Sequence, residues 1–190
     1  MARLSDAERA EYERGRTADY VIQPVRLEGK IRLDDYNPAW PGLFEREAAR
    51  IRGVLGDRVR RLEHVGSTSV PGLAAKPIID ILLVVASPAD EDAYVAPLEQ
   101  ARYRLKVREP DWHDHRLLKG PDTDINLHVH RPGSPEVGRM ARFRDHLRAD
   151  PADRARYERA KRDLAARDWT YTQQYADAKS DVVEEILLRS

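Results

Sequence analysis

The stretch His64-Val65-Gly66-Ser67-Thr68-Ser69-Val70-Pro71-Gly72-Leu73-Ala74-Ala75-Lys76-Pro77-Ile78-Ile79-Asp80-Ile81 concentrates the residue types best suited to chemistry. A β-branched run enters a glycine and three hydroxyl residues. Backbone N–H groups and hydroxyls of such a loop can bond phosphate oxygens, and glycine lets a ligand approach closely. Lys76 adds a compact positive charge nearby. Taken alone, Gly66-Ser67-Thr68-Ser69 also reads as an ordinary turn. Asp80 shifts the balance toward a site, because it interrupts the apolar run 77–85. An ionised carboxylate there is costly unless it is paired, hydrogen-bonded or bound to a metal.

A second group lies in Asp124-Ile125-Asn126-Leu127-His128-Val129-His130. Strand alternation puts Asp124, Asn126, His128 and His130 on one face and the aliphatic residues on the other. Asp80 with Asp124 or His128 would hold a single divalent ion, although His128 also reads as a solvated or hydrogen-bonded strand residue. Only six of the 33 basic residues are lysines, so a lysine on an apolar stripe is informative. Lys179 shares a helical stripe with Tyr175, Val182 and Ile186, and Lys161 lies between Tyr157 and Leu164. With Lys76 they would form a basic rim opposite Asp80, suited to a polyphosphate. The alternative is that their stems cover core surface. No clear general base stands out among Glu63, His64, His115 and His128.

The elements that must position these groups are legible in outline. Asn37-Pro38, Ser87-Pro88, Ser134-Pro135 and Asp150-Pro151 each join an N-cap residue to a proline that suits the first helical position. The first opens a helix with Trp40, Leu43, Phe44, Ala48, Ile51 and Leu55 at spacings of three and four, ending near Gly56. Strands are expected over 58–65, 78–85, 103–107, 115–118 and 124–130, with a crossover helix over 88–102. From Ser134 onward the pattern predicts three helices. The resulting fold class is α/β (α+β): a mixed sheet flanked by helices, with a C-terminal helical cap. Residues 1–28 read as a charged extension with a thin helical stripe, and 29–190 as one domain.

Composition narrows the function classes. A 190-residue chain with 41% hydrophobic content can build one core. The absence of cysteine removes disulfides, thiolate metal sites and cysteine nucleophiles. Thirty-three acidic residues balance the basic ones, so no field of one sign is available for a nucleic-acid backbone. No membrane span is expected, because the longest apolar run is about half of the ~20 residues a bilayer requires. Without an apolar export segment in the first 28 residues, the expectation is cytoplasmic.

Gly-Ser at the end of one strand, followed by an acid on the next, resembles the signature of the nucleotidyltransferase superfamily. The longer string 64–81 is more similar to its GrpB branch. Further hallmarks are Tyr36-Asn37-Pro38-Ala39-Trp40, His115-Arg116-Leu117-Leu118, Leu127-His128-Val129-His130, Phe143-Arg144-Asp145-His146-Leu147-Arg148, Tyr175 and Lys179, so the resemblance spans about 30–189. It implies a nucleotide or phosphorylated small molecule held by Gly66, Ser67, Thr68, Ser69, Lys76, Lys161 and Lys179. It also implies Mg²⁺ or Mn²⁺ on Asp80 and Asp124, with Asp80, Asp124 and His128 as the catalytic group. Active superfamily members place two carboxylates one residue apart on a strand, whereas Leu82 occupies the second position here. Nucleotidyl or phosphoryl transfer to a small acceptor therefore competes with a non-catalytic binding or interaction module. GrpB-type domains also occur fused to dephospho-coenzyme A kinases, a link to coenzyme A metabolism, although this chain has no Gly-x-x-x-x-Gly-Lys-Ser/Thr loop.

Overall fold

The computed structural model describes residues 18–24, 26, 27 and 29–190. Most of the extension expected over 1–28 lies outside the described residues. Within it, β1 (Asp19–Tyr20) pairs antiparallel with the strand Arg104–Glu109, a pairing that two residues of strand length do not announce in sequence.

All five expected strands are present: β2 (Arg61–Val65), β3 (Ile79–Val84), β4 (Arg104–Glu109), β5 (His115–Lys119) and β6 (Ile125–His130). They form one sheet in the order β1-β4-β5-β6-β3-β2. Every neighbouring pair is antiparallel except β3 and β6, which run parallel with Asp80 beside Asn126 and Leu82 beside His128.

Alternation divides the sheet into an apolar and a chemical face. Ile79, Ile81, Leu83, Ile125, Leu127 and Val129 point to the main core, where they meet α1 (Trp40–Leu55) and α2 (Val95–Gln100). Helix α1 buries Trp40, Phe44, Ala48, Ile51 and Leu55, the stripe its spacing predicts. It begins at Trp40 rather than Pro38, because Asn37 Oδ1 accepts the Ala39 N–H at 2.9 Å and folds Asn37-Pro38 into a turn. The expected crossover helix 88–102 is reduced to α2. A short turn at Glu91–Ala93 precedes it, and Tyr94, at φ −140°, donates its hydroxyl to the Pro88 carbonyl at 2.9 Å and interrupts the helical path.

On the opposite face lies the helical cap: α3 (Pro135–Ala149), α4 (Pro151–Ala165), α5 (Thr172–Asp177) and α6 (Ser180–Leu187). Asp150 caps α4 by accepting the Ala152 and Asp153 N–H groups. The single last helix expected from the Tyr175, Val182 and Ile186 stripe is two helices, with Lys179 at their junction as the N-cap of α6. Tyr175 packs with Ile31 and Leu164, whereas Ile186 packs with Val70, Leu73, Leu147 and Tyr157. Serving two separate clusters bends the chain between them. No helix among the described residues is long and apolar enough to cross a membrane.

Candidate functional site

Asp80 lies near the start of β3, beside Val65 at the end of β2. The chain leaving β2 turns through Gly66 with φ +68°, a conformation glycine adopts without strain. A Cβ built there would meet Oδ2 of Asp80 at 2.3 Å. The glycine loop and the strand acid are thus in direct contact, and only a residue without a side chain fits between them. Burial acts to raise the Asp80 carboxyl, but His128, the Asn126 amide and Lys76 outweigh it and hold it below the usual carboxylate range. Asn126 Nδ2 donates to Asp80 Oδ1 at 2.8 Å.

The three hydroxyls of the loop divide by role. Thr68 is buried, donates to the Ile78 carbonyl at 3.0 Å and receives His64 Nε2–H at 3.0 Å. Burial drives the His64 imidazole down to about 4; it is therefore neutral, and its ring stacks on Phe44. Ser69 is buried too, and its hydroxyl donates to the Gly66 carbonyl at 2.6 Å. The family resemblance implies a ligand for all three hydroxyls; Thr68 and Ser69 instead use theirs to hold the loop, which leaves Ser67 half-buried beside the Tyr157 phenol. Short hydroxyl side chains in a tight turn satisfy the local backbone first.

Across the sheet from Asp80 runs a row of ring nitrogens. His128 Nε2 faces Asp80 Oδ1 at 3.7 Å, and its Nδ1 lies 3.1 Å from His115 Nε2. His115 Nδ1 in turn lies 2.7 Å from Glu109 Oε2. The row crosses β3, β6, β5 and the end of β4 on one face. His115 is buried, which pushes its imidazole down despite the Glu109 carboxylate. It stacks on His130 at 4.8 Å, with Trp112 edge-on at 5.2 Å. The pairing of Asp80 with His128 is legible in the sequence, whereas His115 and Glu109 join the row only through how the strands register.

Lys76 from the loop and Lys179 from the cap lie within electrostatic reach of Asp80, and Lys161 lies within reach of Lys179. Lys76 and Lys179 lie over the Tyr175 ring at 5.6 and 4.9 Å, and Lys161 lies over Tyr157 at 4.8 Å. Lys161 is 2% exposed and its Nζ donates to the Ala74 carbonyl. Burial, with repulsion from Lys179 next, lowers Lys161 to about 7 and Lys76 to about 8. Burial also lowers Lys179, while Asp80 opposes the change. Among the described residues, none of the three pairs with a carboxylate within 4.0 Å, although surface arginines pair freely. Buried ammonium groups that repel one another without a carboxylate in contact are a costly arrangement that an anion would relieve.

Asp124 and Leu82 stand apart from that centre. Asp124 is half-exposed and bonded to Lys119, which also donates to Asn126 at 2.8 Å. Leu82 is fully buried with Val65, Val84 and Val137 beneath α3, so the second-carboxylate position is filled by apolar packing. The ligand-type atoms of His146, Asp150 and Asp153 lie within 4.8 Å of one another. There Asp150 caps α4 and Asp153 binds both His146 and Arg189, an ion-pair network that needs no metal.

A family model described as GrpB protein matches residues 30–189. The chain belongs to the GrpB family. A UPF0157 protein of Halalkalibacterium halodurans is 61% identical over 84% of this chain and 82% of its own length. The crystal structure of the conserved protein GrpB from Enterococcus faecalis aligns with a TM-score of 0.64 at 29% identity, covering 81% of this chain and 98% of that one. A dephospho-CoA kinase of Mycolicibacterium paratuberculosis is 34% identical over 72% of this chain, which corresponds to 40% of that protein.

The GrpB hallmark Phe143-Arg144-Asp145-His146-Leu147-Arg148 acquires a physical role from the fold. Arg148 donates twice to the Ser69 carbonyl, at 2.8 and 3.1 Å, and Arg144 donates to the His64 carbonyl at 3.0 Å and to Glu63 at 2.7 Å. From α4, Glu158 accepts the Ala74 N–H at 3.3 Å while Lys161 holds the Ala74 carbonyl. The cap thus grips both ends of the loop that carries Gly66 and Ser67. Charge-assisted hydrogen bonds to carbonyls suit this task because they orient a backbone that has no regular partner.

Proposed function

We propose that this GrpB chain binds a polyphosphate-bearing small molecule, a nucleoside triphosphate or a relative of it, beside Asp80. The observation that carries the reading is the approach of Lys76 and Lys179 to Asp80, with Lys161 beside Lys179, all three lowered by burial and, among the described residues, without a carboxylate within 4.0 Å. Phosphate oxygens supply the negative charge these ammonium groups lack, with Ser67 as the hydroxyl donor. Asp80 would hold a divalent ion, Mg²⁺ or Mn²⁺, which would neutralise charge that develops in phosphoryl or nucleotidyl transfer. Asp80 and His128 fit an ion between them better than Asp80 and Asp124 do, since Asp124 is bonded to Lys119.

Leu82, packed under α3, favours a second reading in which binding persists and transfer is slow or absent. Two-metal transfer gains several kcal/mol from the paired ions, and 1.36 kcal/mol is a tenfold change in rate. Relatives named dephospho-CoA kinase make coenzyme A precursors worthwhile ligands to test. The deciding experiment is calorimetric titration with pyrophosphate, nucleoside triphosphates and dephospho-coenzyme A, with and without Mg²⁺ or Mn²⁺. Binding that disappears in Lys161→Met and Lys179→Met supports the reading; no binding of any of these anions by the wild type ends it. Metal-dependent turnover with a defined acceptor would end the binding-module alternative.

A further inference from the structure

We propose that Glu109 and His115 are positioning residues that aim the bare Nε2 of His128 at Asp80, building a mixed nitrogen–oxygen site that takes a transition-metal ion such as Mn²⁺ in preference to Mg²⁺. The inference deepens the metal-assisted reading of the phosphate site and rests on it for the ion's purpose, though not for its geometry.

The argument is an assignment of donors and acceptors along one row. The Glu109 carboxylate only accepts, so His115 Nδ1, at 2.7 Å from it, carries a hydrogen. In a neutral ring His115 Nε2 is then bare, and it accepts from His128 Nδ1–H at 3.1 Å. In a neutral His128 ring that leaves Nε2 bare as well, and an ion there takes the place of the proton through which His128 lowers Asp80. Nε2 faces Asp80 Oδ1 at 3.7 Å, beyond the hydrogen-bond range, so with the ring neutral two acceptors face each other across a gap. A cation between them satisfies both. Two ligands about 2.1 Å from a shared ion stand roughly 3.0 Å apart at right angles and roughly 3.4 Å apart at a tetrahedral angle, so a small contraction completes the pair.

The surroundings keep the relay in place. His115 lies between His128 and His130, with ring centroids 5.3 and 4.8 Å away, and Trp112 closes its edge at 5.2 Å. A metal-ligating histidine typically donates its other N–H to a carboxylate or other acceptor that fixes its tautomer; here His115 transmits the Glu109 carboxylate to His128. An imidazole ligand suits first-row transition ions, whereas Mg²⁺ prefers oxygen and keeps its waters.

The test uses the full chain, metal alone and no nucleotide. Mn²⁺ is titrated by calorimetry against Mg²⁺, and the Mn²⁺ complex is examined by pulsed paramagnetic resonance for coupling to ¹⁴N. Expected are tighter binding of Mn²⁺ than of Mg²⁺ and a histidine ¹⁴N signal that His128→Gln abolishes. Glu109→Gln, whose amide permits the opposite tautomer, and His115→Phe, which retains a ring, are each expected to weaken Mn²⁺ binding by about 10- to 100-fold. Both variants are first shown to melt cooperatively, and Asp80→Asn serves as the control that removes the oxygen ligand. A wild-type Mn²⁺ complex without ¹⁴N coupling, or wild-type Mn²⁺ affinity in both folded variants, overturns the proposal. Pyrophosphate binding in metal-free buffer is measured in parallel, so failure of the phosphate reading is distinguished from failure of the metal relay.

Discussion

A Cβ on Gly66 would lie 2.3 Å from Oδ2 of Asp80 and 2.9 Å from its Cβ. Gly66→Ala therefore adds a steric conflict to the cost of a positive φ. Gly72 provides the control, because its φ is +78° yet nothing lies within 4 Å of a Cβ there. Gly72→Ala should lose about 1–2 kcal/mol, the ordinary left-handed cost. Gly66→Ala should lose about 1–3 kcal/mol more from overpacking. Urea denaturation of both variants checks this, and equal losses would show that the loop and strand do not abut.

Asp80→Asn keeps the side chain's shape and its acceptance from Asn126 while removing the charge. Metal-dependent phosphate binding should disappear, with stability changed by no more than about 1 kcal/mol, a typical single hydrogen bond. Calorimetric titration beside a thermal melt separates the two effects. Unchanged metal-dependent affinity in the folded variant would exclude Asp80 as the ion's ligand.

Anion affinity should fall as pH rises through about 7 to about 8, where Lys161 and then Lys76 lose their charge. Stability of the free protein runs the other way. A lysine lowered in the folded state carries its full penalty below its folded value of about 7, and is relieved as pH climbs toward its unfolded value. Lys161→Met should consequently gain most over wild type near pH 6 and least near pH 9, an expectation drawn from that linkage. Pyrophosphate titrations and thermal melts across this window test both signs.

Removing the Arg148 side chain frees the Ser69 carbonyl from two donors. Because that arginine is partly exposed, Arg148→Ala should cost only about 1 kcal/mol of stability. Its larger effect should be on the loop, seen as faster amide hydrogen exchange at Ser67 to Val70 and weaker pyrophosphate binding. Exchange confined to the helix ends would assign Arg148 to the cap alone.

Leu82→Asp tests whether the second carboxylate can be restored. The position is sealed by Val65, Val84 and Val137, so the variant should lose about 3 kcal/mol or more through lost packing and an unpaired buried acid. A stable Leu82→Asp protein that binds two Mn²⁺ ions would show that the apolar cluster is adaptable.

Much of this was written in local sequence. The apolar run 77–85 located β3 with Asp80 as its one acid, and period-two alternation located β6 and put Asn126 and His128 on its polar face, because a strand sends successive side chains to opposite sides whatever surrounds it. Proline after Ser134 and Asp150 marked two helix starts to the residue, and the family followed from the string around Gly66. Other features depended on partners distant in the chain. The turn that shortened α2 goes with the Tyr94 bond to the Pro88 carbonyl, and the bend at Lys179 arises where Tyr175 and Ile186 serve separate clusters; periodicity records neither demand. The inward Thr68 and Ser69 hydroxyls, the Arg148 clamp from 79 residues away and the Glu109-His115-His128-Asp80 row exist only once strand order and register bring those atoms together. Sequence determined which residues can do chemistry and on which face of their own element they sit. Tertiary structure decided which of them meet, because hydrogen bonds and charge pairs act over a few ångströms and only packing sets those distances.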